Sequence, residues 1–97
     1  MVVGSLRLDV LLGDVHSLKH KRAVLRPLLA ALRRFDVSAA ETGGQDLHRR
    51  AEIGVAVVGG DHSHVRSVLE RCERVVAADP EVELLSARLR VWDDEDE

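Results

Sequence analysis

Residues 51–92 read AEIGVAVVGGDHSHVRSVLERCERVVAADPEVELLSARLRVW, and this stretch decides the fold. Its first part alternates apolar and polar residues from Ala51 onward, which predicts a strand. Its middle part follows Asp61, a good N-cap residue, and has apolar residues at helical spacing. These apolar positions are Val65, Val68, Leu69, Cys72, Val75 and Val76. The middle part therefore predicts a helix, which closes near Pro80.

The last part of the stretch predicts another strand, from about Val82 to Trp92. Its apolar face would hold Leu85, Ala87, Leu89 and Val91. The other face would hold Ser86, Arg88 and Arg90. Because side chains alternate along a strand, this pattern indicates a half-buried strand with one solvated face.

The N-terminal half repeats the same order of elements. Residues 2–12 alternate cleanly and predict a strand. Ser17 is the N-cap of a predicted amphipathic helix that runs to about Arg34. Pro27 lies inside this helix and cannot donate its backbone hydrogen bond, so we expect a kink or a short break there. A weak strand of small residues follows from Asp36 to Thr42, and a loop then runs to about Arg49.

The resulting order, βαββαβ, predicts an α+β ferredoxin-like sandwich. Right-handed crossovers would place both helices on one face of a four-stranded antiparallel sheet, with the first and third strands at its centre. The opposite face would be open to solvent. It would carry Arg7, Asp9, Glu52, Arg88 and Arg90.

Composition favours one folded domain, residues 1–92, with an acidic tail that we expect to be disordered, residues 93–97. The net charge is −3, but the last five residues are all acidic and the rest has 14 basic and 12 acidic residues. A hydrophobic share of 45% excludes a wholly disordered chain. The single cysteine, the alternating N-terminus and the absence of a long apolar run predict a cytoplasmic protein without a membrane span.

The start of the first helix is the most informative candidate site. Its candidate anion- or RNA-binding residues are Ser17, Lys19, Lys21, Arg22 and Arg26. Between Val15 and Phe35 the chain has six Lys or Arg residues and no acid. Cations near a helix N-terminus oppose the helix dipole, so an external anion would account for them. The alternative is a solvated cationic face. Lys21 lies by helical spacing within the leucine stripe of this helix, where it would snorkel to solvent or pair with a carboxylate such as Glu52. The leucine stripe consists of Leu18, Leu25, Leu28, Leu29 and Leu32.

A second candidate site is the loop that contains Gln45, Asp46, Arg50 and Glu52. Asp46 and Glu52 could act as acid and base if a substrate lay between them. More simply, Asp46 would turn the chain and Arg50 would pair with a nearby carboxylate. No nucleophile or metal set accompanies them, and the five histidines lack zinc-ligand spacing, so we expect no catalytic residue, no metal and no cofactor.

Two segments resemble a known family. Residues 17–22, SLKHKR, are similar to the SLKxKR signature of the YlxP-like bacterial family of unknown function, and residues 45–56, QDLHRRAEIGVA, are similar to its QDLWxRAELGVA signature. The resemblance extends from Met1 to about Val91. This chain departs from it at His48, where the family usually has Trp. The resemblance implies a ferredoxin-like fold and a gene often found beside translation-initiation and ribosome-maturation genes.

Three functional hypotheses follow. The first is a non-enzymatic protein that binds the ribosome or RNA through phosphates, because the predicted open sheet face lacks the stacked aromatics of an RRM. The second is an oligomerising structural or regulatory domain, a homodimer through the open sheet face or through edge strands. The third is a small enzyme that acts on an anionic substrate.

Overall fold

The computed structural model describes residues 1–95. The elements are β1 (Val2–Leu12), α1 (Leu18–Arg33), β2 (Ser38–Gly43), β3 (Arg50–Gly59), α2 (His62–Ala78) and β4 (Val82–Asp93). They form one antiparallel sheet in the order β2-β3-β1-β4, with both helices packed against the same face. The predicted βαββαβ architecture, with β1 and β3 at the centre, is confirmed.

The core lies between this face of the sheet and the two helices. The even-numbered residues of β1 are buried throughout, because alternate side chains of a strand point to the same face. The leucine stripe of α1 and the valine-rich stripe of α2 cover them. The helix residues buried in this core are Val24, Leu25, Leu28, Leu32, Val65, Leu69, Cys72 and Val76. Neither helix in residues 1–95 is long and apolar enough to cross a bilayer.

Gly4 allows α2 to lie close to the sheet. A Cβ atom at this position would be 2.5 Å from Val65 Cγ1 and 2.7 Å from Leu69 Cδ1, distances that two carbon atoms do not adopt. The absence of a side chain at Gly4 therefore sets the separation between β1 and α2.

Of the predicted kink or short break at Pro27, the break is absent, because α1 is one uninterrupted helix from Leu18 to Arg33 with Pro27 inside it. Both Pro27 and Ala23, whose carbonyl loses its helical partner, are exposed. Water can therefore hydrate that carbonyl, and the proline ring lies outside the core.

The predicted apolar face of β4 is wrong at one residue. Asp9 of β1 pairs with Ser86, but Val10 pairs with Leu84, so Leu85 is the extra residue of a β-bulge. A bulge inverts the alternation on one side of it. As a result Leu84 lies on the helix-covered face and Leu85 is 42% exposed. Ala87, Leu89 and Val91 lie on the predicted face.

The boundary of the predicted acidic tail also needs correction. Asp93 is part of β4 and pairs with Val2, and the Asp94 N–H donates to Met1 O at 3.0 Å. The Met1 ammonium lies 3.0 Å from Asp94 Oδ1, and the hydrogen bond from this contact raises the pKa of the ammonium. Strand pairing and this ion pair therefore hold the first residues of the segment, and residues 96–97 lie outside the described part.

Candidate functional site

Ser17 begins α1 as predicted. Its backbone is extended, and its Oγ accepts a hydrogen bond from the His20 N–H at 3.0 Å. The cap satisfies one of the free backbone donors of the first turn. No acid lies in this turn, and Lys19 is exposed there. The positive end of the helix dipole therefore lies beside an exposed cation.

The exposed cations of α1 continue along the outside of the helix. We call Lys19, Arg22, Arg26 and Arg33 the basic face of α1; all four are exposed. Within residues 1–95 none of them has a carboxylate oxygen within 4.0 Å. None of the described carboxylates therefore forms an ion pair with this face.

Three arginines of this face line a shallow groove of about 240 Å³ beside Glu41 of β2. They are Arg22, Arg26 and Arg33, and Leu25 and Leu29 form the apolar part of the lining. A guanidinium group presents a planar fork of donors that matches two phosphate oxygens. The three guanidinium groups therefore give this groove donors suited to a phosphate, and Glu41, the partner of Lys21, also lines it.

Arg33 lines the groove but was not among the predicted site residues. Its Nε and Nη2 donate to Ala39 O at 3.1 Å and 2.7 Å. It therefore ties the end of α1 to β2 and leaves part of its fork of donors at the groove. The signal that could have found it is its position seven residues after Arg26 on the same side of the helix.

Lys21 is not available to an anion, which corrects its predicted role. Its side chain is 2% exposed. Its Nζ lies 2.6 Å from Glu41 Oε2 and donates to Gly44 O and Leu47 O, each at 2.6 Å. An ammonium group has three donors, and three protein oxygens surround this one. Lys21 is a structural cation.

The carboxylate partner of Lys21 is Glu41, and not Glu52 as suggested from the sequence. Glu41 lies two residues after buried Ala39, so both point to the helix-covered face. Glu52 pairs with Asp9 on the opposite face. There its Oε2 accepts a hydrogen bond from Thr42 Oγ1 at 2.5 Å, and its Oε1 lies 3.4 Å from Arg7 Nε.

The contact of Lys21 brings the two signature segments together. Lys21 belongs to residues 17–22, whereas Leu47 belongs to residues 45–56 and Gly44 precedes it. Gly44 has a φ of 73°, and the Leu47 N–H donates to Gly44 O at 2.9 Å, which closes a tight turn. Arg49 Nε donates to Gly13 O at 3.0 Å and so holds the other end of the loop. The loop is anchored at both ends.

Between these anchors the loop exposes its side chains. Leu47 is 52% exposed, and Asp46 and His48 are exposed. Gln45 is also exposed, and its Nε2 donates to Glu41 O at 3.4 Å. The loop is therefore a fixed surface feature whose polar groups point mainly to solvent.

The predicted acid and base are not brought together in one cavity. Glu52 and Arg50 line a shallow cavity of about 350 Å³ with Asp9, and Asp46 is not among its lining residues. Glu52 already has Thr42 and Arg7 as partners. The geometry does not favour Asp46 and Glu52 as a catalytic pair.

Residues 1–95 contain neither a cluster of metal ligands nor a reactive thiol. No three His, Cys, Asp or Glu side chains in this range are grouped so that they could hold a metal ion. Cys72 is buried in the core, and burial raises the pKa of its thiol. A protonated, buried thiol is a poor nucleophile.

Comparison with solved structures defines the class of fold. The de novo designed protein LFR1 1 with ferredoxin fold matches with a TM-score of 0.62 at 12% identity, and the match covers 93% of this chain and 86% of that one. The de novo designed protein Foldit4 matches with a TM-score of 0.54 at 17% identity, and the match covers 96% and 97%. The protein therefore has a ferredoxin-like fold, and these matches show the fold alone.

Within this class, the chain belongs to a family described as "Protein of unknown function (DUF503)", whose model matches residues 3–89. It is also 32% identical over 83 residues to the uncharacterized protein YlxP of Bacillus subtilis (strain 168). That match covers 84% of this chain and 90% of the relative. The predicted membership of a YlxP-like family is confirmed.

Proposed function

We propose that the protein is a non-enzymatic binding protein that contacts the phosphate backbone of RNA, as presented by ribosomal particles in the bacterial cytoplasm, through the basic face of α1. The observation that supports the proposal is that no described carboxylate forms an ion pair with this face. Four exposed cations lie on one helix, and none has a carboxylate partner in residues 1–95. Because Lys21 is buried and paired with Glu41, it is not part of the proposed binding site.

The position of these cations supports an external anion. A lysine in the first turn of a helix is unfavourable by about 0.3–1 kcal/mol because the dipole there is positive. Free backbone N–H groups at the helix start and the cations beside them attract the same negative ligand. One polyanion that follows the helix could neutralise the charges from Lys19 to Arg33.

Phosphates are the expected contact, because the basic face has no aromatic side chain on which a base could stack. The chain has two aromatic residues, Phe35 and Trp92. Phe35 packs against the core. Trp92 belongs to β4, where the Arg90 Cζ lies 4.8 Å from the centroid of its ring in a cation–π contact. Recognition would therefore depend on the shape of the RNA backbone, and its affinity on salt.

The experiment is co-sedimentation with purified ribosomal particles, and fluorescence titration with an rRNA fragment, at 50 and 200 mM salt. With three or four phosphate contacts, affinity should fall by about 40- to 150-fold between these salt concentrations. The double variant Lys19→Glu with Arg22→Glu should lose most of the binding at low salt. Its salt dependence should be correspondingly smaller, by about one unit of slope for each contact removed.

A matched control is Arg71→Glu with Arg74→Glu, which makes the same change in net charge at exposed positions of α2. This control should retain most of the binding, since it leaves the basic face intact. Absence of binding by the wild type would overturn the proposal. So would equal losses in the two double variants, because net charge and not this face would then explain the interaction.

A further inference from the structure

The two edge strands of the sheet differ in length and in how their outward backbone groups are protected. Each edge strand has one bulge, but the β2 edge is only six residues long and Arg33 covers its outward carbonyl at Ala39. The β4 edge is twelve residues long, and within residues 1–95 no side chain makes a hydrogen bond to its backbone between Val82 and Trp92. Monomeric proteins usually protect an edge of this length. We propose that β4 pairs with β4 of a second copy to form a continuous eight-stranded sheet.

The free backbone groups of β4 can be assigned from its pairing with β1. The Asp94 N–H donates to Met1 O, and in an antiparallel ladder alternate residues face the partner strand. Trp92, Arg90 and Arg88 therefore bond to β1. Val91, Leu89 and Ala87 direct their N–H and C=O groups outward.

The direction of the backbone groups can also be assigned for the residues of β4 that precede the bulge. Val10 pairs with Leu84 and Leu12 with Val82, and the even residues of β1 face β3, as the bond from Leu12 N to Arg49 O shows. Leu84 therefore also directs its backbone groups outward, and Val82 directs its C=O outward while its N–H donates to Asp79 O at 3.4 Å. The residues with free backbone groups are the same ones whose side chains face the helix-covered side.

One register of two antiparallel β4 strands satisfies both conditions. It places Ala87 opposite Ala87 of the second copy, Leu89 opposite Leu84, and Val91 opposite Val82. Every pair joins outward-directed backbone groups and places side chains on the same face, as the bulge requires. The twofold axis then passes beside Ala87, and each strand presents the same residues to the other, as a closed dimer requires.

Side chains on the open face favour this same register. It puts Arg90 opposite Glu83 of the second copy and Arg88 opposite Ser86, so each arginine meets an acid or a neutral residue. A shift of two residues that centres the pairing on Leu89 would put Arg88 opposite Arg90. Like charges directly opposite destabilise a strand pair, and opposite charges stabilise it.

The helix-covered face supplies the apolar contribution. Val82, Leu84, Leu89 and Val91 pack against the core yet are only partly buried, and Leu85 is 42% exposed. In the proposed register Leu84 and Leu89 of opposite copies become cross-strand neighbours. Removing this apolar surface from water stabilises the dimer.

A charge-swap series measured by sedimentation equilibrium across a dilution series tests the register. The wild type should dimerise at micromolar concentration. Arg90→Glu and Glu83→Arg should each raise the dissociation constant about tenfold, because each places like charges opposite at two symmetric positions. The double variant Glu83→Arg with Arg90→Glu should return to within about threefold of the wild type. A structural role of either residue within one copy would not produce this reciprocal rescue between copies.

A cysteine variant tests the axis independently. Ala87→Cys should form an intermolecular disulfide under mild oxidation, because directly opposite strand residues lie about 5.5 Å apart at their Cα atoms. Ala56→Cys, on an exposed position of central β3, is the matched control and should not. A wild type that stays monomeric at high micromolar concentration would overturn the proposal. A dimer that ignores the charge swaps, or that crosslinks through Ala56→Cys, would do so too, since another surface would then mediate it.

The dimer does not depend on the proposed RNA contact. The basic face of α1 lies on the β2 side of the molecule, whereas the proposed interface is at β4. The two sets of variants share no residue. Failure of either proposal therefore leaves the other unaffected.

Discussion

Lys19 and Lys21 lie two residues apart at the start of α1, but they differ in exposure and in their contacts with the rest of the protein. Lys21 is 2% exposed and has three protein oxygens around its ammonium group. Lys19 is exposed and has no carboxylate partner within residues 1–95. The comparison shows that a basic cluster in a sequence can combine structural cations with cations that remain available to a ligand, and that burial separates the two.

The physical reason is the cost of removing a charge from water. An ammonium group in an apolar environment is very unfavourable unless charged and polar partners replace its hydration shell. Glu41 and the carbonyls of Gly44 and Leu47 provide that replacement for Lys21. Water provides it for Lys19, so Lys19 can exchange water for a phosphate group at little cost.

Removal of the buried cation should have the largest effect. We expect Lys21→Met to destabilise the protein by about 3–5 kcal/mol, since the Glu41 carboxylate, whose Oε2 is buried, would lose its partner and two carbonyls would lose their donor. Urea unfolding followed by circular dichroism measures this change. The matched control is Lys19→Met, which should change the stability by less than about 1 kcal/mol.

The double variant Lys21→Met with Glu41→Leu separates the two contributions. Removing both charges should recover much of the lost stability, because an apolar pair of similar volume avoids the isolated carboxylate. If Lys21→Met alone were as stable as the wild type, the contrast between the two lysines would be lost.

Arg33 offers an intermediate case. Its guanidinium donates twice to Ala39 O, but the residue is exposed and has no carboxylate partner in the described range. We expect Arg33→Met, which keeps most of the aliphatic stem, to destabilise the protein by about 0.5–1.5 kcal/mol. The same unfolding experiment with Arg26→Met as the control measures it. A loss of stability as large as that of Lys21→Met would show that burial of the cation does not determine how much each variant destabilises the protein.

The sequence predicted the elements because each has a clear period. The even residues of β1 and the apolar stripe of α2 are regular, and both lie in the core as expected. The position of Lys21 within the leucine stripe also raised the alternative that it snorkels or pairs with a carboxylate, and in the structure it pairs with Glu41. These are local patterns, and they do not depend on how the strands pair.

The features that the sequence missed depend on pairing or on short weak segments. Leu84 and Leu85 are adjacent leucines, so either could have been the core residue, and only the register with β1 shows that Leu85 is the bulge. Glu41 lies in a strand of small residues whose alternation was too weak to assign its face. The partner of Lys21 could therefore not be identified before β2 was placed beside α1.

The smallest expected effect has the opposite sign. Lys19→Gln removes a cation from the first turn of α1 and keeps a similar helix propensity. Because the helix dipole is positive there, the variant should be more stable by about 0.3–1 kcal/mol at low ionic strength. Thermal unfolding at low salt, compared with 0.5 M salt where screening removes the gain, measures this effect.

The same variant should bind RNA less tightly if the proposed function is correct, with a salt slope smaller by about one. Stability and binding would then change in opposite directions on loss of one charge, which is the behaviour of a group kept for a ligand at some cost to the fold. A decrease in stability would show instead that Lys19 has a structural role. Lys19 would then belong with Lys21, and the basic face would begin at Arg22.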